Sequence, residues 1–241
     1  MSVTDTILVV PCFRDGERLA VYLPELCAAL GCSGDVVLVR VVDDGSPAAE
    51  QAALARVVEH LQTAYPFLQP LVANPENHGK GHAIRTGWAK GPPGQWLAFV
   101  DADGAVPAAG VAAFIARARA WPQHAMHISD RTAAQTKDVH RFWHRRAGSR
   151  LFNAWVRFCL GLDLSDTQCG LKVIPASFND RQTWREDGFA FDLELLLRAR
   201  AVGLPIASQP IAWHEKPGST LGPKAMLGLF AAAWRLRRSR S

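Results

Sequence analysis

Asp101 and Asp103 stand one residue apart where the apolar run Trp96 to Val100 ends, in the stretch QWLAFVDADGAVP at residues 95–107. Two carboxylates this close repel each other unless a cation or hydrogen-bond donors compensate. An Asp-x-Asp pair after a strand suits a divalent cation, Mn2+ or Mg2+, that also bridges a diphosphate. The plainer alternative is a pair of solvated turn aspartates, since Asp favours turns.

Three other stretches carry comparable chemistry. Asp43 and Asp44 in VVDDGS could accept hydrogen bonds from a ribose hydroxyl or a base N–H, or form an Asp-Gly turn with Ser46 capping the next helix. NPENHGKGHAIRTG sets two glycines around Lys80 and puts Arg85 near a helix start. Glycines let backbone approach a ligand, and a helix N-terminus with basic side chains attracts phosphate. The spacing is not that of a Walker loop. His78 and His82 are available as ligands, although isolated loop histidines usually are not ligands. PCFRDGE, at residues 11–17, is the fourth stretch.

Each of these follows a short apolar run, so the elements that must position them are strands. ILVVPCF, DVVLVRVVDDGS, PLVAN and WLAFVDADG read as strands. ERLAVYLPELCAALG, closing on Gly31 as C-cap, and PAAEQAALARVVEHLQTA, with Pro47 in its first turn, read as helices. Helical patterns also lie at about 80–90 and 107–120. Strand and helix alternating at this rhythm predict an α/β fold with a mostly parallel sheet covered on both faces. Its ligands bind at the carboxyl ends of the strands, where all four loaded stretches would meet. After residue 125 the rhythm loosens. MHISDR reads as a strand and residues 138–161 as one long helix. SDTQCGLKVIP reads as a loop entering a strand, FAFDLELLLRARAVG as a helix and PIASQPIAWHE as one extended segment.

The chain has 241 residues, a net charge of +5 and five cysteines, with no CxxC pair. This is globular composition, too apolar for disorder, and its basicity suggests an anionic partner. The odd cysteine number fits a reducing compartment better than a disulfide framework. The N-terminus lacks the basic and long apolar regions of a signal peptide. The longest nearly unbroken apolar stretch, AMLGLFAAAW, is too short to span a bilayer. The expectation is one domain over 1–241, with a nucleotide-binding half at about 1–125 and an acceptor-binding half at about 126–221. A basic amphipathic tail occupies 222–241.

The ordered set VVPCFRDGERL, VVDDGS, NHGKGHAIRTG, FVDADGA, DTQCGLKV, FDLELL and WHEKPGSTL resembles glycosyltransferase family 2 over about residues 7–221. It is most similar to the dolichyl-phosphate β-glucosyltransferase and polyprenyl-phosphate glycosyltransferase branch. The resemblance implies a GT-A fold, a nucleotide-sugar donor, a divalent cation and a lipid-phosphate or other lipid-linked acceptor. It places Pro11, Phe13 and Asp15 around the nucleotide and Asp44 near its base or ribose. Lys80 and Arg85 fall in the matching basic loop. Asp101 falls near the ribose or sugar and Asp103 on the metal. It makes Arg131 a phosphate contact and puts Gln168 and Asp192 beside the transferred sugar or acceptor. Trp213 and Ser219 join Arg131 and Asp192 on the acceptor side. Three departures stand out. Phe13-Arg14 replaces a Tyr-Asn pair, Ser129-Asp130-Arg131 replaces Gly-Ser-Arg, and Thr220 stands where the late Gly-Ser-Lys has its lysine, with Lys216 close by.

Two residues apart on a helix is roughly 200° around its axis, so Asp192 and Glu194 cannot face one ligand. Both also fit as first-turn acids, or Asp192 as an N-cap. Arg141, Arg145, Arg146 and Arg150, interleaved with Phe142 and Trp143, make either a solvated face or a basic surface for a phospholipid-like acceptor. No nucleic-acid motif accompanies them. In the tail, Met226, Leu227, Phe230 and Trp234 recur at helical steps ahead of Arg235, Arg237, Arg238 and Arg240. That pattern fits either an interfacial helix on anionic lipid or a stripe packed on the sheet. The expected location is cytoplasmic, peripheral on the inner face of the membrane. Two rivals remain open: an aspartyl-phosphate phosphohydrolase, whose Asp-x-Asp-Gly-Thr motif FVDADGA imitates, and a non-catalytic nucleotide-sugar-binding protein.

Overall fold

The computed structural model describes residues 5–34, 36–90, 94–121, 124–132, 139–140, 143–214, 216 and 223–238, with backbone alone at 139–140, 143–147 and 223–224. Seven strands form one sheet. In chain order they are β1 (Thr6–Cys12), β2 (Val37–Asp44), β3 (Val72–Asn74), β4 (Trp96–Val100), β5 (Met126–Asp130), β7 (Leu171–Pro175) and β8 (Ile206–Pro210). The order across the sheet is β3-β2-β1-β4-β7-β5-β8. Only β7 is antiparallel to its neighbours. A second, two-stranded sheet pairs β6 (Val139–His140) with β9 (Trp213–His214).

The central strands are buried on both faces, which accounts for their unbroken apolar runs. Helices α1 (Gly16–Gly31), α2 (Ala48–Gln62) and α4 (Ala108–Arg119) supply side chains to one core cluster. Helices α3 (Lys80–Ala89), α5 (Trp143–Leu160), α6 (Ala176–Asn179), α7 (Phe191–Ala201) and α8 (Pro223–Arg238) supply the other. Close packing of α3 on the sheet needs Gly87, because a Cβ there would lie 2.6 Å from a Val9 methyl. The chain is thus an α/β fold with a mostly parallel sheet covered on both faces, as its alternating pattern predicts.

Several local expectations change. The long helix begins at Trp143 rather than near 138, because residues 139–140 pair as a strand with β9. PIASQPIAWHE divides into β8 and β9, which belong to different sheets. The C-cap of α1 is Cys32, with Gly31 the last helical residue, and the N-cap of α2 is Pro47. Ser46 does not cap α2. Its Oγ accepts from the Arg14 N–H at 2.8 Å and so ties the ends of β1 and β2 together.

The tail helix α8 buries Leu229, Ala232, Ala233 and Leu236, at steps of three and four, against the core. Trp155 of α5 stacks on Trp234 and donates its indole N–H to the Phe230 carbonyl at 3.2 Å. The buried stripe is therefore offset from the one expected at Met226, Leu227, Phe230 and Trp234. Leu227 and Trp234 remain exposed, together with Leu151 and Phe158 of α5. No helix among the described residues is long and apolar enough to cross a membrane.

Far from the strand ends, His127 of β5 is fully buried. Its Nδ1 accepts from Gln209 Nε2 at 2.7 Å, while Nε2 has no partner among the described residues. The Trp96 and Trp121 rings meet it edge to face. Burial lowers its pKa to about 4, so the buried ring is neutral near pH 7.

Candidate active site

The carboxyl ends of β1, β2 and β4, and the start of α3, open into one cavity of about 820 Å³. Among its lining residues are Pro11, Phe13, Asp15, Asp44, Lys80, Asp101, Asp103, Arg131, Gln168 and Trp213. The four stretches singled out by their chemistry therefore meet on one edge, where strand order reverses about β1 and β4. The size is that of a small-molecule or cofactor site.

Asp101 and Asp103 differ in their surroundings. Asp101 pairs with Lys80 Nζ at 2.8 Å. Its backbone N–H donates to the Gly170 carbonyl at 3.0 Å, across the β4–β7 junction. A Cβ at Gly170 would lie 1.9 Å from the Asp101 carboxylate, so only glycine leaves that carboxylate room. Asp103 accepts the Ala105 N–H on one oxygen at 2.9 Å. Its other oxygen has no partner among the described residues. Burial, then the charge of Asp101, raises the Asp103 pKa above the ordinary carboxylate range. Such a carboxylate gains from a cation beside it.

Among the described residues, no group of three or more His, Cys, Asp or Glu side chains could hold a metal by itself. A hard cation needs no such group, since Mg2+ is commonly held by one or two carboxylates with substrate phosphates completing its shell. The free oxygen of Asp103, with Asp101 near it, fits a cation of that kind.

Beneath the cavity floor lies a charge network that the motifs alone did not reveal. Asp192, in the first turn of α7, is 1% exposed and does not line the cavity. Its two oxygens receive Lys172 Nζ and Lys80 Nζ, the latter at 3.2 Å. Burial alone would raise its pKa, but Lys172 and Lys80 together hold it below the ordinary range. Lys80 is raised in turn, Asp101 and Asp192 outweighing its burial. Lys80 thus bridges the cavity wall to this network, and its ammonium lies 5.1 Å from the Phe99 ring centroid. Glu194 points elsewhere, to Arg198 and the backbone N–H groups of Arg185 and Glu186, as the helical angle requires.

Arg131 has a parallel arrangement. Its guanidinium makes two 2.7 Å bonds to the buried Asp166 and lies 4.6 Å from the Trp213 ring centroid. Asp166 outweighs burial in raising the Arg131 pKa, and Asp166 is lowered correspondingly. Gln168 lies on the same loop. Its Nε2 is buried with no partner among the described residues, a donor left for a ligand oxygen.

Asp44 is buried and accepts three hydrogen bonds from the protein. It accepts from Asn74 Nδ2 at 2.8 Å and from the N–H groups of His78 and Gly79 at 3.1 and 2.6 Å. Its carboxylate shapes the turn before α3. Gly79 holds φ of 108° there, with the Asp187 carbonyl too close for a Cβ. Asp43 accepts from the Ser46 N–H at 2.9 Å and from Gln51 Nε2 at 2.8 Å. Arg85 is not among the cavity's lining residues. It pairs with Asp187 and donates to the Glu186 carbonyl at 3.0 Å, bracing α3 to the loop before α7. Ser219 lies outside the described residues, as do Arg141, Phe142 and the side chains of Trp143, Arg145 and Arg146. Arg150 is exposed.

Sequence reasoning left Lys172, Asp166 and Gly170 without a role. For Lys172 a signal existed: a lysine inside the apolar strand LKVIP must find a partner indoors.

The model of glycosyl transferase family 2 matches residues 7–180. Dolichyl-phosphate beta-glucosyltransferase of Mus musculus is 28% identical over 258 residues, covering 97% of this chain and 78% of the relative. The Drosophila melanogaster protein of the same name is 29% identical over 229 residues, covering 90% and 69%. Glucosyl-3-phosphoglycerate synthase from Mycobacterium tuberculosis, solved with UDP, has a TM-score of 0.69 at 16% identity, covering 98% of this chain and 80% of that one. Mannosyl-3-phosphoglycerate synthase from Rubrobacter xylanophilus reaches 0.71 at 15% identity, covering 98% and 74%. The chain therefore belongs to glycosyl transferase family 2 and is a glycosyltransferase with the GT-A fold.

Proposed function

We propose that this glycosyltransferase moves a hexose, glucose or a close relative, from a UDP-sugar to a lipid-linked phosphate, with inversion and with help from Mn2+ or Mg2+. The observation that carries the acceptor assignment is Asp192. A hydroxyl acceptor needs a base to take its proton, whereas a phosphate is already an anion at neutral pH. Asp192 is held ionised by two ammonium groups, lies under the floor and has no oxygen left for a proton. Among the described residues, no histidine lines the cavity. The relatives from mouse and fly are named for dolichyl phosphate. Two solved neighbours carry UDP with Mn2+ and GDP-Man with Mn2+.

In this reading an acceptor phosphate oxygen attacks the sugar C1 from the face opposite the leaving nucleoside diphosphate. The C1–O bond to the diphosphate breaks as the new one forms, and no proton moves at the acceptor. Asp103, with Asp101 near it, would hold the cation, whose charge offsets that of the leaving diphosphate. Gln168 Nε2 donates to a ligand oxygen, and the paired Arg131 presents a fixed positive face.

The lipid chain is read from the apolar part of the cavity. Phe152, Phe189, Met226 and Leu229 are among its apolar lining residues, and the helices α5 and α8 also carry the exposed Leu151, Phe158, Leu227 and Trp234. Arg150, Arg157, Arg235, Arg237 and Arg238 lie on the same two helices. We place this surface against an anionic membrane. The test is transfer of labelled glucose from UDP-glucose to a polyprenyl phosphate and, in parallel, to the corresponding polyprenol. Product from the phosphate alone is expected. Product from the alcohol alone would overturn the acceptor, and sugar phosphate cleaved without an acceptor would favour a phosphohydrolase.

A further inference from the structure

Every cation on the cavity wall has a carboxylate partner among the described residues except two, Arg14 and Lys216. Arg18 is held by Asp15, Lys80 by Asp101 and Asp192, and Arg131 by Asp166. Lys216 stands near Trp213 in sequence, on the acceptor side proposed above. Arg14 stands just past the end of β1.

Arg14 is unusual in its backbone. Its φ of 51° makes it the one non-glycine residue in the left-handed region among the described residues. Glycine and asparagine hold that conformation readily, and a long side chain gains nothing from it by itself. In this conformation the Arg14 N–H donates to Ser46 Oγ, which ties the first two strand ends together. An outlier of this kind at a cavity wall points to a use for the side chain. That side chain is exposed, lines the cavity and has its guanidinium 5.3 Å from the centroid of the Phe13 ring. Phe13 and Asp44 line the same cavity.

We infer that Arg14 is a specificity-determining residue for the donor nucleotide, closing with Phe13 on the nucleobase in the crevice between β1 and β2. The chemistry fits a base better than a phosphate. A guanidinium beside an aromatic ring offers a flat cationic surface that stacks on a heterocycle, and its N–H groups donate to ring carbonyl oxygens. Uracil presents such oxygens. Asp44, which the resemblance put near the base, already accepts from Asn74 and the loop backbone and has no proton to give. Donors for the ring oxygens therefore fall to Arg14. The diphosphate belongs with Asp103, on the far side of β1 from β2.

This inference rests on the nucleotide-sugar reading, and calorimetry with UDP and UMP in the presence of Mn2+ tests both. The variants are Arg14→Ala and Arg14→Lys, in the full chain. Loss of about 3- to 30-fold in affinity, equal for UDP and UMP and not restored by lysine, is expected for a stacked cation. The KM for the UDP-sugar should rise with little change in kcat, since the contact is the same in ground and transition states. Three results overturn the assignment while leaving the donor reading intact: unchanged affinity in Arg14→Ala, a loss confined to UDP, or full rescue by lysine. The last two would mark Arg14 as a phosphate contact. A wild type that binds neither nucleotide would overturn the donor reading and this assignment together. Arg14 is exposed at a loop, so the alanine variant is expected to melt within about 2 °C of wild type; larger changes would show a structural role and also count against the assignment.

Discussion

Lys172 and Asp192 form an ion pair sealed from solvent, their side chains 0% and 1% exposed. The pair stands between β7 and α7, and Lys80 reaches it from α3. Three elements thus share one buried carboxylate, and Lys80 carries its orientation to Asp101 in the cavity.

Asp192→Asn should therefore act on folding before chemistry. Removing one partner of a buried pair typically costs about 3–5 kcal/mol, because the other charge stays buried and uncompensated. For a chain of this size that is a fall of roughly 6–20 °C in melting temperature. Replacing both partners, as Lys172→Met with Asp192→Leu, should recover most of it, while leaving Lys80 with Asp101 alone. Thermal unfolding of the three proteins decides. The Asp192 pKa is depressed in the fold, so its contribution is present at neutral pH and lost as pH falls below about 4. A melting temperature unchanged in Asp192→Asn at pH 7 would contradict the network.

Asp103→Ala should remove the cation-dependent part of nucleotide binding. Its unpartnered oxygen is the one offered to a metal among the described residues. UDP titrated by calorimetry with and without Mn2+ should show a metal-enhanced affinity in wild type and none in the variant. Equal enhancement in both would mean that the cation sits elsewhere.

Gly170→Ala tests how tightly Asp101 is placed. A methyl 1.9 Å from the carboxylate must displace it and so disturb its contact with Lys80. Misplacing a catalytic group by about 1 Å can cost on the order of 100-fold, so turnover should drop by about that much. The variant should remain folded by circular dichroism. Turnover within threefold of wild type would show that Asp101 need not sit where it does.

The sheet's parallel half was legible because strands buried on both faces leave apolar runs ending in polar clusters, as ILVVPCFRD and WLAFVDADG do. The meeting of those clusters followed from the topology alone. What stayed hidden depended on contacts between distant stretches. Arg85 looked like a phosphate ligand, but its partners, Glu186 and Asp187, lie about a hundred residues on. Asp192 was expected beside the transferred sugar or acceptor, because sequence position does not report that two lysines already hold it. The tail stripe was offset because alanines at 232 and 233 bury as well as larger residues against a helix, while Leu227 does not.

His127 should make stability fall in mild acid. Its buried ring is neutral, with a pKa lowered to about 4, against about 6.5 in an unfolded chain. The unfolded state takes up the proton first, so the full contribution holds above pH 6.5 and is lost progressively toward pH 4. By linkage the loss at pH 4.5 is about 2–3 kcal/mol. Urea unfolding at pH 7 and pH 4.5 should show that loss in wild type and a clearly smaller one in His127→Gln. Parallel pH dependence in the two proteins would remove His127 as the cause.

The exposed apolar residues of α5 and α8 can be tested without harming the core. Truncation before α8 would strip Leu229, Ala232, Ala233 and Leu236 from their packing, so it cannot isolate a membrane role. Phe158→Glu with Leu227→Glu changes only side chains that are 67% and 71% exposed. Co-sedimentation with phosphatidylserine-containing vesicles should fall at least tenfold, since each group is worth about 1.5–3 kcal/mol when buried in an apolar medium. Unaltered sedimentation with intact folding would move the membrane contact elsewhere.

The one antiparallel strand has a consequence for how this scaffold can change over time. A strand running against its neighbours begins where they end, so the entry to β7 brings Gln168, Cys169 and Gly170 to the carboxyl edge. The segment between α5 and β7 can then lengthen or shorten while the pairing of β1, β2 and β4 stays in place. Recognition of a new acceptor can be tried at that segment while nucleotide recognition is left alone, provided Gly170 keeps its place against Asp101.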